Sequence, residues 1–86
     1  MTTTEFIKTA KRAIVSQWNA RKEREEAPIT PDNVFVVWQC KTLQNWKAML
    51  GTVTGFGYYE FTWDGDKDCG YLDTYKKVSN SVIRAD

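Results

Sequence analysis

The feature that most constrains this chain is a change of hydrophobic period around Pro28 and Pro31. Before it, Phe6, Ile7, Ala10, Ile14 and Trp18 recur at three- and four-residue steps, with Ala13 alongside. That spacing lays one apolar stripe along a helix predicted from about Thr3 to Glu25. Thr2-Thr3-Thr4-Glu5 has the spacing of a capping box at its start. Pro28 stops the helix, and Thr30-Pro31-Asp32 reads as a cap followed by a single helical turn. After it, Val34-Phe35-Val36-Val37-Trp38-Gln39-Cys40 is β-branched and aromatic without strict alternation, the pattern of a strand covered on both faces.

Further strands follow. Trp46 to Thr54 reads as a second strand, with Trp46, Ala48 and Leu50 on one face and Met49 and Val53 on the other. A short helix over Leu43 to Leu50 is the competing reading, since Leu, Gln, Lys, Ala and Met are good helix formers. Gly55-Phe56-Gly57 is a turn, and Tyr58 to Trp63 alternates, setting Tyr59, Phe61 and Trp63 against Tyr58, Glu60 and Thr62. Asp64-Gly65-Asp66-Lys67 is a hairpin turn in which Asp-Gly tolerates positive φ, and Cys69 to Leu72 returns as a short strand. Leu72, Tyr75, Val78, Val82 and Ile83 then recur at helical spacing, with Asp73 as the cap of a C-terminal helix. The expected fold is α+β: a single domain over residues 1–86, with a small antiparallel sheet of three to four strands and an N-terminal and a C-terminal helix. Its core is expected to hold Phe6, Ile14, Trp18, Val36, Trp38, Phe61 and Trp63.

Chemistry is easier to exclude than to assign. Twelve Lys and Arg balance eleven Asp and Glu, so the net charge of +1 names no partner. The 86 residues contain no histidine, the commonest general base and metal ligand. Two cysteines are too few for a disulfide scaffold: Cys40 reads as a small core residue and Cys69 as a turn residue, both free thiols. No basic segment precedes an apolar run, and no stretch approaches the ~20 apolar residues of a membrane span, so the expected location is cytoplasmic. Asp64, Asp66 and Asp68 alternate as at the start of an EF-hand loop, but Cys69 stands where its glycine belongs and Tyr75 where its glutamate belongs. The segment reads as a solvated turn. Glu60 reads as a surface residue and Asp73 as a cap. With no phosphate loop, nucleophile elbow or zinc spacing, an enzyme is not expected, and neither is a cofactor or a metal.

Two surfaces remain. Lys8, Lys11, Arg12 and Lys22 form a basic side of the first helix, which could follow a phosphate backbone, although Glu5, Glu23, Glu25 and Glu26 share that helix. The stronger signal is the aromatic content, 14% of the chain from four Trp, four Tyr and four Phe. If both helices cover one face of the sheet, a row drawn from Phe35, Val37, Met49 and Tyr58 stays open as a protein-binding surface. A second copy of the chain is the simplest partner for it, giving a homodimer built on those four residues.

Val34-Phe35-Val36-Val37-Trp38-Gln39-Cys40-Lys41-Thr42-Leu43-Gln44-Asn45, with Tyr58-Tyr59-Glu60, Asp64-Gly65-Asp66-Lys67, Tyr75-Lys76-Lys77 and Glu5-Phe6-Ile7-Lys8, resembles small uncharacterised phage and prophage proteins of bacteria, a domain-of-unknown-function family. The likeness spans nearly the whole chain and brings no catalytic or binding residues with it. It implies a phage-derived protein in the cytoplasm of a bacterial host cell. By analogy with small phage accessory proteins, it implies a binder of a host protein target, including an inhibitor of CRISPR effectors or another defence. The alternatives are a small nucleic-acid-binding protein and a sponge that holds a signalling nucleotide in an aromatic pocket.

Overall fold

The computed structural model describes residues 1–55 and 57–85. The first element, α1 (Thr3–Arg21), starts where the sequence places it. The Thr2 hydroxyl accepts a hydrogen bond from the Glu5 backbone N–H at 3.1 Å and donates to the Glu5 carboxylate at 3.1 Å. The helix ends at Arg21 rather than near Glu25, because Lys22 turns extended while its N–H still bonds the Trp18 carbonyl. Asn19 then clamps the returning chain. Its side-chain oxygen accepts from Ile29 N–H at 2.9 Å, and its amide donates to the Ile29 carbonyl at 3.1 Å. A 3₁₀ turn at Pro31–Asn33, the turn read from Thr30-Pro31-Asp32, delivers the chain to the sheet.

Four antiparallel strands follow in chain order: β1 (Val34–Thr42), β2 (Asn45–Thr52), β3 (Tyr58–Asp64) and β4 (Cys69–Tyr75). β2 is a strand, so the competing helix over Leu43 to Leu50 does not form. Leu43 and Gln44 make the first hairpin turn, with Leu43 at φ 56. In the second turn it is Asp68, at φ 53, rather than Gly65 that takes positive φ. The Asp64 carboxylate holds this turn by accepting from the N–H groups of Asp66 and Lys67 at 3.0 and 3.2 Å. The turn expected at Gly55-Phe56-Gly57 falls partly on Phe56, outside the described residues.

α1 lies on one face of the sheet. Phe6 stacks near Trp46 at 6.0 Å between centroids and near Phe61 at 5.7 Å, while Gln17 bonds the Thr74 hydroxyl at 2.6 Å. Around them the core gathers Ala10, Ile14, Trp18, Ile29, Val34, Ala48, Leu50 and Tyr59, with Val36, Trp63 and Leu72 half-buried against it. Of the expected core, Trp38 is misplaced, at 42% exposed, and so is Cys40. β1 pairs Val36 with Leu50 but Trp38 with Met49, leaving Val37 as the extra residue of a bulge. The bulge reverses the facing of everything after it. Trp38 and Cys40 therefore turn away from the helix, and Cys40 is exposed rather than part of the core. β1 is also an edge strand rather than a doubly covered one, so its unbroken apolar run records the bulge.

The C-terminal helix is not formed. Leu72 and Tyr75 belong to β4, and Asp73, expected as a cap, sits in that strand opposite Glu60. Residues 76–85 have no regular secondary structure, and Val78, Val82 and Ile83 are 97, 73 and 88% exposed. Physically, Val78-Ser79-Asn80-Ser81-Val82-Ile83 is poor in helix formers, and a segment shorter than ~12 residues is marginal as an isolated helix.

Candidate functional site

With α1 on one side, the opposite face of the sheet is built in rows set by strand register. One row runs Phe35, Gly51, Tyr58, Tyr75; the next runs Trp38, Met49, Glu60, Asp73; the third runs Cys40, Lys47, Thr62, Tyr71. Gly51 shapes the first row: a Cβ there would lie 2.6 Å from Phe35 Cζ, so the missing side chain lets the Phe35 ring lie over the sheet. Tyr58 and Tyr75 stand directly opposite one another on neighbouring strands.

No element among the described residues covers these rings. Phe35, Val37, Trp38, Tyr58, Tyr71 and Tyr75 are each between 42 and 51% exposed. Half-exposure of five aromatic side chains of ~150–250 Å² leaves roughly 500 Å² of apolar surface, the size of the largest patch on a typical monomer. The molecule measures only 20 Å along its shortest principal axis, which accommodates one sheet and one helix layer.

Charge on this face is sparse and mostly paired. Lys47 Nζ meets Glu60 Oε1 at 2.8 Å, and that hydrogen bond, with the carboxylate's charge, holds the Lys47 ammonium above its ordinary range. The pair also offsets the charge of Glu60, which stands directly opposite the like-charged Asp73. Near one corner, the Cys69 thiol and the Tyr71 hydroxyl share a weak hydrogen bond at 3.5 Å. At the end of the first row, Phe35, Tyr58, Tyr75, Lys76 and Lys77 line an open groove of about 510 Å³.

Of the residues singled out from sequence, Phe35, Met49 and Tyr58 share this face, Met49 half-buried between Trp38 and Glu60, and Val37 is the exposed bulge residue at its edge. Sequence reasoning missed Trp38, Tyr71 and Tyr75. The alternation Cys69, Tyr71, Asp73, Tyr75 could have revealed the last two; no pattern in β1 marks where its bulge falls. The basic set lies elsewhere. On α1, Lys8 and Arg12 are exposed and Lys11 half-buried, with Lys22 half-buried just past its end, on the other side of the sheet from these rings. The acidic turn is occupied by its own structure: Asp64 caps the backbone and Asp66 accepts from Gln44. No group of three or more metal-ligating side chains is found among the described residues.

A family model described as a family of unknown function, DUF6275, matches residues 7–85. The chain belongs to that family. The DUF6275 match runs through α1, all four strands and the segment after β4, so the open face lies wholly within it. No curated protein and no solved structure matches the chain. No helix among the described residues is long and apolar enough to cross a membrane.

Proposed function

We propose that this chain is a non-enzymatic binding protein whose open sheet face docks on another protein. The observation that supports it most is the grouping of Phe35, Trp38, Tyr58, Tyr71 and Tyr75, all about half-exposed, on a face fixed by strand pairing. Aromatic side chains carry much of the energy of protein interfaces at low entropic cost, and here the sheet fixes them beforehand. The partner surface is apolar, with polar groups placed for the Lys47–Glu60 pair and for Asp73. The resemblance to phage and prophage proteins supports a bacterial host protein as the target, and inhibition of a defence system as the outcome.

The face favours protein over nucleic acid. Glu60 and Asp73 sit in the middle row beside Trp38, where a phosphate backbone would be repelled, and the basic side of α1 lies across the molecule. A small anionic ligand is the second reading, supported by the groove in which Phe35, Tyr58 and Tyr75 meet Lys76 and Lys77. The test is capture of partners from bacterial lysate by the wild-type chain and by Trp38→Asp and Tyr58→Asp, with circular dichroism confirming that each is folded. Loss of a captured protein in both variants, with retention in Arg12→Glu, supports the reading. Capture lost in Arg12→Glu alone overturns it. Thermal stabilisation by nucleotides, abolished by Lys77→Glu, would favour the second reading instead.

A further inference from the structure

The two edges of the sheet differ, and the difference points to a second copy of this chain. β1 is broken by the bulge at Val37 and carries Lys41, both devices that discourage strand addition. β4 has neither. It pairs with β3 residue for residue from Cys69 to Tyr75, contains no proline, lysine or bulge, and leaves its other edge unpaired by any strand among the described residues. Its flanks are oppositely charged: Asp66, Lys67 and Asp68 precede it, and Lys76 and Lys77 follow it. An antiparallel copy of the same strand brings each flank alongside its opposite.

From this self-complementarity we infer that the chain forms a twofold dimer by pairing β4 with β4 of a second copy, Leu72 on the axis. In that register Tyr71 faces Asp73 of the second copy, Cys69 faces its Tyr75, and Gly70 faces its Thr74. Leu72 meets itself on the helix side, where it is already half-buried. Moving the axis to Asp73 would set two like charges directly opposite each other. An odd shift would set Leu72 against Tyr71 and place the helices on opposite sides of the joined sheet. The product is an eight-stranded sheet with both helices on one side and both aromatic faces on the other. This inference stands apart from the function proposed for that face.

The test is sedimentation of the 86-residue chain, wild type and variants, with a disulfide trap. The wild type is expected at twice its 10.0 kDa mass at micromolar concentration. Tyr71→Glu sets a like charge against Asp73 of the second copy twice over and is expected to weaken the dimer about tenfold, whereas Tyr71→Lys preserves it. Tyr75→Cys places a new thiol opposite Cys69 of the second copy and is expected to give a cross-linked dimer on oxidation, lost in Tyr75→Cys/Cys69→Ser. A monomeric wild type overturns the inference. So does a dimer that Tyr71→Glu leaves intact and Tyr75→Cys fails to trap. A dimer dissolved by Trp38→Asp, with Tyr71→Glu harmless, would move the interface to the open face and also overturn it.

Discussion

Trp38 stands directly opposite Met49, where an unbroken ladder from the Val36–Leu50 pair would have set it opposite Ala48. That one-residue slip moves an indole from the helix side to the open face. Trp38→Ala is accordingly expected to cost about 1 kcal/mol, against about 3–5 kcal/mol for Phe61→Ala in the core. Urea denaturation of both variants checks it. Equal losses would place Trp38 back among the core side chains.

Asn19 ties the end of α1 to the linker through both its amide atoms. Asn19→Ala leaves the N–H and C=O of Ile29 unpaired, and the expected loss is about 2 kcal/mol. Asn19→Asp keeps the acceptor but not the donor, so its loss should be smaller. Thermal unfolding of the two variants gives the order.

Much of this architecture could be read from the residues, and the parts that could not have physical causes. Phe6, Ala10, Ile14 and Trp18 face the core as their helical spacing requires, and Tyr59 and Phe61 do so as their alternation requires. Local pattern and burial agree at those positions. At β1 they part, because an inserted residue changes facing without changing composition, so Trp38 and Cys40 were assigned to the wrong side. At the C-terminus, Leu72 and Tyr75 fit a helical period, yet pairing with Phe61 and Tyr58 supplies backbone partners that an isolated helix of weak formers could not match. Of the open face, Phe35, Met49 and Tyr58 were legible; Tyr75 was hidden by that false helix, and Tyr71 fell in a returning strand too short to show its alternation with Asp73 and Tyr75.

The Trp46 indole N–H is buried and without a hydrogen-bond partner among the described residues, whereas that of Trp18 donates to the Ala27 carbonyl at 3.4 Å. Trp46→Phe removes an unpaired donor together with ring volume, and the two effects partly offset. Its expected cost is below about 1 kcal/mol, less than that of Trp18→Phe. Chemical denaturation of the pair checks the ranking.

Alkaline pH should weaken the fold. Burial raises the pKa of Tyr59 above 10.0, with Arg21 pulling the other way, and Glu60 raises that of Lys47 above 10.5. Both groups hold their protons more tightly in the native state than in the unfolded chain. Their stabilisation is therefore complete below pH 10.0 and disappears as pH rises through the higher native values. The melting temperature is expected to fall above pH 10.0, less steeply in Tyr59→Phe than in the wild type.

The most direct measurement of the central claim is site-specific photo-crosslinking in bacterial cells. A photoreactive side chain replaces Tyr58 on the open face in one chain and Arg12 on the solvent side of α1 in another. A discrete protein adduct is expected from position 58 and none from position 12. Adducts from position 12 alone, whether to protein or to nucleic acid, would contradict it.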